Sequence, residues 1–396
     1  MNHEPTPLRR ALIISILGRL AHDVAARVIY PYIPEVAAGL KITEGQLGTL
    51  MSLRYGVSLG GPLFGAWADR VGHRRAMTIG LLLVAIGMGV IGLSAGLIGP
   101  GLGFIISGIG SAIYIPALIA YMSDRTPYAR RGRVLGAIEL TWAISGMIGV
   151  PLMGALLSSQ GWRAPFIGLA AATLICSGLT LLLKETPHNL AKGPRVRPLQ
   201  GIKTIVRNRS ALTFVAAWFL LFFAFENIQI SYGSWLDAKF GLTITARGSI
   251  STLFGVFELL ASGGSSLLLD RIGKKRGVVG GLIVATLGYA ILFALGSRAL
   301  PWALAAISIS FLGFEFSVVS GLSVMSEQVP AARGTMLALA VSTGAIGRMV
   351  ADPLGSALTA NGAFSIVALI SLVAGALNAL VFATGVKERR SDGETE

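Results

Sequence analysis

One cysteine, four histidines and a 13% share of charged residues are what this chain of 396 residues allots to polar chemistry. A lone Cys176 excludes an intramolecular disulfide, and its place inside an apolar run points to packing. His3, His22, His73 and His188 are scattered, with no His-x-x-x-His and no paired catalytic acids, so neither a metal site nor an enzyme is expected. No Gly-x-x-x-x-Gly-Lys-[Ser/Thr] loop is present, which removes a self-contained ATP-driven pump; no cofactor is expected. Strand-like alternation is absent too, which argues against a transmembrane β-barrel. Soluble domains carry about a quarter charged residues, and this chain falls well short of that.

What is abundant is apolar: 53% hydrophobic residues and 51 glycines. Apolar runs of about 20 residues, the length that crosses a hydrocarbon core, recur from end to end. They predict helices over 11–37, 47–67, 76–96, 99–121, 134–158, 164–184, 211–236, 248–269, 277–297, 302–324, 335–358 and 363–385. The first is expected to be retained rather than cleaved as a signal, because it runs on past Arg19, Asp23 and Arg27. The fold expected is therefore an all-α polytopic membrane protein with twelve transmembrane helices.

The formal charge of +14 is a matter of placement. Arg9, Arg10, Arg70, Arg74, Arg75, Arg125, Arg130, Arg131, Arg133, the stretch Lys184 to Arg209, Arg271 to Arg276, Arg333 and Lys387 to Arg390 all fall in alternate connections. The intervening ones hold only Lys41, Arg163, Lys239, Arg247 and Arg298. The positive-inside rule puts the basic set and both termini in the cytoplasm and explains the charge without nucleic acid.

The stretch 184–209 divides the chain evenly, giving an N-terminal six-helix bundle over 1–184, a linker over 185–210 and a C-terminal bundle over 211–396. A short amphipathic helix is expected near LQGIKTIV in the linker. Asp69 and Asp270, Arg131 and Arg333, and Pro151 and Pro353 recur at offsets of 201, 202 and 202. Three anchors at nearly one offset point to a duplicated six-helix unit and two pseudo-symmetric bundles.

GAWADRVGHRR (65–75), echoed by SLLLDRIGKKR (266–276), resembles the loop signature of the major facilitator superfamily, with Gly65, Asp69, Arg70, Gly72, Arg74 and Arg75 in place. YPYIPEVAAGL (30–40) matches the Pro-x-x-Pro ending of the first helix. GMIGVPLMGA (146–155) is similar to the fifth-helix antiporter signature at Gly146, Pro151 and Gly154 but not at Val150 or Ala155. The fourth-helix arginine of the family is replaced by Phe104, so its proton relay is not carried over. The resemblance, closest in kind to bacterial twelve-helix proton-coupled efflux members, implies a conformational latch at Asp69. Gly65 is expected to let a neighbouring helix approach, Gly72 to make the turn, and Arg70, Arg74 and Arg75 to meet acids such as Asp124. Asp270 and Arg271 occupy the matching latch positions in the second half.

Charges at bilayer depth are costly and so become functional candidates. In the first helix Arg19, Asp23 and Arg27 share a face at i, i+4, i+8, and Asp23 can pair with either arginine. A carboxylate that changes its arginine between conformations suits proton coupling, so Asp23, Glu139 and Glu226 are the proton-coupling candidates. His22, on another face, reads as a bystander. Substrate-binding candidates are Arg19, Arg27, Arg54, Glu226, Asn227, Tyr232, Glu258, Glu315, Arg348 and Asp352. Polar side chains on several faces of FFAFENIQISYGSW (222–235), followed by Gly233, predict a broken seventh helix, and Arg348 with Asp352 reads as a self-satisfied i, i+4 pair.

The expected function is a monomeric secondary transporter in a bacterial inner membrane, moving a small amphipathic solute by alternating access, with protons and lipids as its other partners. Export is favoured by the fifth-helix motif. Uptake or exchange of an organic anion is the alternative, and a non-transporting membrane sensor a further one.

Overall fold

The computed structural model describes residues 8–185 and 198–388, which are helical with no strand among them. Two of the expected spans are broken. The first comprises α1 (Leu8–Arg27), a 3-10 turn at Tyr30–Tyr32 and α2 (Ile33–Leu40), because Pro31 and Pro34 withdraw two backbone donors in succession. The second comprises α3 (Glu44–Ser58), opened by a Thr43–Gln46 capping box, and α4 (Gly61–Val71), which restarts at Pro62.

Then follow α5 (His73–Leu93), α6 (Ile98–Arg125), α7 (Tyr128–Ile144), a π-turn at Ser145–Gly149, α8 (Val150–Gln160) and α9 (Arg163–Thr180). The linker contributes α10 (Pro198–Arg207), where the amphipathic helix was expected. The second half holds α11 (Arg209–Phe240), α12 (Ile244–Ile272), α13 (Lys274–Leu295), α14 (Leu300–Gln328), α15 (Arg333–Ala360) and α16 (Phe364–Gly385). Among the described residues ten helices are long and apolar enough to cross a membrane, and the two interrupted elements precede them.

The seventh span is not broken: α11 runs without interruption through Gly233. A Cβ there would lie 2.2 Å from the Tyr30 carbonyl oxygen and 2.7 Å from Pro31 Cα. Glycine is needed for close approach to the break in the first span, not for a break of its own.

By contact the chain forms two compact units that do not coincide with its sequence halves. The first is Met1–Lys192 with Ile230–Val256 and Asp352–Gly362; the second is Gly193–Gln229, Phe257–Ala351 and Ala363–Glu396. Parts of α11, α12 and α15 join the first unit because small residues seat them there. A Cβ on Gly248 would meet the Tyr32 hydroxyl at 2.6 Å, one on Gly255 Met147 Cγ at 2.6 Å, and one on Gly48 Ser356 Oγ at 2.0 Å.

The duplication is visible inside each unit. In the first, α5 and α6 touch backbone to backbone, with Gly80 against the Gly110 carbonyl and Gly87 against that of Gly103. In the second, α13 and α14 do the same through Gly281 and Gly313 and through Gly288 and Ala306. Such small-residue seams substitute for a hydrophobic driving force in lipid.

Candidate functional site

The first unit carries a connected chain of buried polar groups running from α7 through α1 to α6. Asp23 is fully buried, and both of its oxygens lie against Arg19 Nε, at 3.0 and 3.1 Å. Oδ2 also accepts from the Thr141 hydroxyl at 2.7 Å. Arg19 Nη2 reaches Glu139 at 3.5 Å, and that carboxylate, 58% exposed, is the chain's opening to its surroundings. On the other side His22 Nδ1 stands 3.1 Å from Asp23 Oδ1, and its Nε2 is 2.9 Å from Ser111 Oγ on α6. A buried carboxylate keeps its charge only with such countercharge and hydrogen bonding.

Of the two arginines offered to Asp23 by spacing, the fold selects Arg19. Arg27 donates to the Trp142 carbonyl and lies 4.5 Å over the indole. The motif glycine Gly146 and its neighbour Gly149 make that proximity possible: a Cβ on Gly146 would stand 3.1 Å from the Arg27 guanidinium, and one on Gly149 2.2 Å from Val24. The π-turn between them puts Ser145 opposite Val150, whose N–H it receives, ahead of Pro151. Arg54 on α3 donates to the Ala26 carbonyl at 2.9 Å and to the hydroxyls of Tyr30 and Tyr55 at 3.1 and 2.9 Å.

His22 is held at both of its ring nitrogens. It lacked an obvious role in the sequence because its partner Ser111 lies 89 residues away on another helix.

The second unit holds a separate group of acids. Arg348 pairs with the buried Glu226 at 3.5 Å and lies 4.7 Å over the Phe222 ring. Asn227 donates to the Phe223 carbonyl, Glu315 accepts from Ser262 at 2.8 Å, and Glu258 is buried. Asp352 and Tyr232 belong to the first unit, where Asp352 is fully buried and the Tyr232 ring meets Phe254 edge-on at 5.4 Å.

At the end of the first unit remote from the basic loops lies a cluster that reading along the sequence missed. Arg247, 1% exposed, donates to the Pro31 carbonyl at 2.9 Å and to the Glu35 carboxylate, with Asp237 at 3.6 Å. Beside it the Tyr32 hydroxyl donates to the Val150 carbonyl at 3.0 Å. Arg247 had counted only as a loop charge. The signal that could have singled it out is the pair of carboxylates, Glu35 and Asp237, at the ends of the expected first and seventh helices that adjoin the weakly charged connections.

In the loop motif Gly72 takes φ +96°, a conformation that favours glycine and makes the turn before α5. Gly65 does not seat a neighbour: a Cβ there would meet nothing within 4 Å. Arg74 pairs with Glu185 at 3.1 Å, and its backbone N–H donates to the same carboxylate. Asp124 faces His73 at 3.6 Å. Asp69 is half-buried, and Arg70, Arg75 and Arg271 are exposed. In the second half Glu388 accepts from the Lys274 N–H at 3.1 Å, the counterpart of Glu185 on Arg74. The Asp270 side chain lies outside the described residues.

A family model for the Major Facilitator Superfamily matches residues 15–238 and 219–396. The chain is similar to Multidrug resistance protein 2 of Bacillus subtilis, 24% identical over 263 residues that make up 63% of this chain and 64% of that protein. Its similarity to Multidrug resistance protein MdtG of Escherichia fergusonii, 24% identical over 403 residues, spans 96% of each. Among solved structures, a D-xylose–proton symporter matches with a TM-score of 0.81 at 20% identity, covering 99% of this chain and 100% of that one. At that identity the likeness establishes the fold alone.

Proposed function

Because this chain belongs to the Major Facilitator Superfamily and is a multi-pass membrane transporter, we propose that it exports a small amphipathic solute in exchange for protons. In this reading it sits in a bacterial inner membrane as a monomer, with the basic loops and both termini in the cytoplasm and the proton gradient as its energy source. The observation that carries the reading is Asp23, fully buried and held by Arg19, while the more exposed Glu139 reaches for the same arginine. Two carboxylates competing for one cation make the electrostatic field at the buried site depend on conformation, which is the requirement for coupling. The multidrug-resistance relatives support export of amphipathic compounds. The seal around Arg247, Tyr32 and Gly233 supports one end-state of an alternating-access cycle.

Arg19, whose buried Nη1 has no acceptor, favours the alternative of an organic-anion carrier. Against it, Arg27 donates to the Trp142 carbonyl, and Arg54 donates to the Ala26 carbonyl and to the hydroxyls of Tyr30 and Tyr55.

Proteoliposomes with a trapped pH dye, challenged in turn with ethidium, a lysophospholipid and benzoate, test the reading. Antiport gives solute-dependent proton movement opposite to the solute, abolished in Asp23→Asn. Movement of protons with benzoate would replace export by anion symport. Solute flux without a proton signal would reduce Asp23 to a brace within the first helix.

A further inference from the structure

His22 has a property that neither Asp23 nor Arg19 shares: the hydrogen bonds around it are complete in two protonation states. Its Nδ1, 3.1 Å from the Asp23 carboxylate, is suited only to donate. Its Nε2, 2.9 Å from Ser111 Oγ, meets an atom that either donates or accepts. Ser111 Oγ also lies 2.9 Å from the Ser107 carbonyl, which only accepts. The one hydroxyl proton therefore has two destinations. Turned to Nε2, it satisfies a neutral imidazole. Turned to Ser107, it leaves an oxygen lone pair for Nε2–H, and the ring then carries both protons and donates to Asp23 and Ser111 at once. One proton bound at Nε2 and a single rotation of a hydroxyl separate the two, and neither leaves a ring nitrogen unpaired, the condition that makes a buried polar group costly.

The charges facing the ring decide which state holds. From α1 come Arg19 and Asp23, from α3 Arg54, and from α7 Glu139 acting through Arg19. Tyr114 on α6, with its ring 5.6 Å away, and Thr141 on α7 complete the surroundings. With Arg19 on Asp23, as here, that carboxylate already has its countercharge and does not need a second one from the ring. With Arg19 drawn over to Glu139, Asp23 is left to the ring, and a proton binds at Nε2. When Arg19 returns, the same proton leaves from Nε2; no bond between heavy atoms forms or breaks.

We propose that His22 is the group that carries the transported proton, with Ser111 as its hydroxyl switch and Asp23 as its countercharge. This rests on the proton-coupled reading above and names the site at which coupling occurs.

The test is imidazole nitrogen NMR of the full chain in lipid nanodiscs, titrated from about pH 5 to 9. The His22 signals are identified by contacts to the Tyr114 ring and by their loss in His22→Gln. The expected result is one ring that passes from neutral to doubly protonated within the range. Ser111→Ala lowers its midpoint by about one pH unit, Asp23→Asn lowers it further, and Arg19→Gln raises it. A ring that does not titrate, or whose midpoint ignores these substitutions, overturns the proposal even if His22→Gln fails to fold. Proteoliposomes separate the two levels. Ethidium-linked proton movement kept in His22→Gln sinks this inference and leaves antiport standing, whereas its absence from the native protein sinks antiport and the inference with it.

Discussion

Replacing Gly233 with alanine adds one methyl to α11 at the point where that helix meets the break in the first span. The new Cβ would stand 2.2 Å from the Tyr30 carbonyl oxygen, 2.7 Å from Pro31 Cα and 2.8 Å from the Pro31 carbonyl carbon. All three are backbone atoms, so no side chain can rotate out of the way. Ordinary contact begins near 3.4 Å, and the helices must separate by roughly the difference. Overpacking of this kind costs about 1–3 kcal/mol, charged only to the conformer in which the two segments touch. In a two-state carrier that is a shift of about 5- to 150-fold toward the conformer in which they are apart. The assay is labelling by a membrane-impermeant maleimide of a cysteine placed at the buried Ser251 beside Arg247, in a Cys176→Ser background. Labelling should accelerate in Gly233→Ala and stay at the native rate in Gly264→Ala, where a Cβ would meet nothing within 4 Å. A rate in Gly233→Ala indistinguishable from that of Gly264→Ala would refute the reasoning.

Arg247→Met should raise the same labelling, through a loss of about 1–3 kcal/mol; this is below the roughly 3–5 of a fully buried pair, because both carboxylates reach water. Gly154→Ala places a Cβ 2.0 Å from the Tyr32 hydroxyl and should lower the melting temperature. Tyr32→Phe, mildly destabilising alone through the lost bond to Val150, should recover part of that loss, a coupling that a double-mutant cycle measures. Glu185→Gln and Glu388→Gln should each cost about 0.2–1 kcal/mol in low salt and less in high salt, because both carboxylates are solvent-accessible. The two effects should add, since these residues cap different helices in different units.

Much was legible along the chain because it depends on a window of a few residues. Hydropathy over a span's length marks where helices cross, and the loops between them alternate between strongly basic and nearly neutral. The turn before α5 needs a left-handed residue, and Gly72 supplies it. The repeat anchors at Asp69, Arg131 and Pro151 mark a duplication whose trace is the matched α5–α6 and α13–α14 seams. Even the buried charges of the first helix stand out, since lipid tolerates few of them.

Partnership was not legible. Spacing offers Asp23 both Arg19 and Arg27 equally, and the choice falls to Arg19 because Trp142 on α7 takes the other. His22 looks idle until Ser111 arrives from α6, and Arg247 looks like a loop charge until Glu35 and Pro31 close over it. Gly233 was read as a break when it is a contact, and Gly65 as a contact when it faces open space. Secondary structure and topology follow from backbone sterics, solvation and local charge, which each segment carries with it. The meeting of side chains 89 or 212 residues apart depends on which helices become neighbours and on their rotation about their axes. Packing of the whole chain sets both, so the sequence determined the helices and their repeat, and only the tertiary structure decided which charges hold one another.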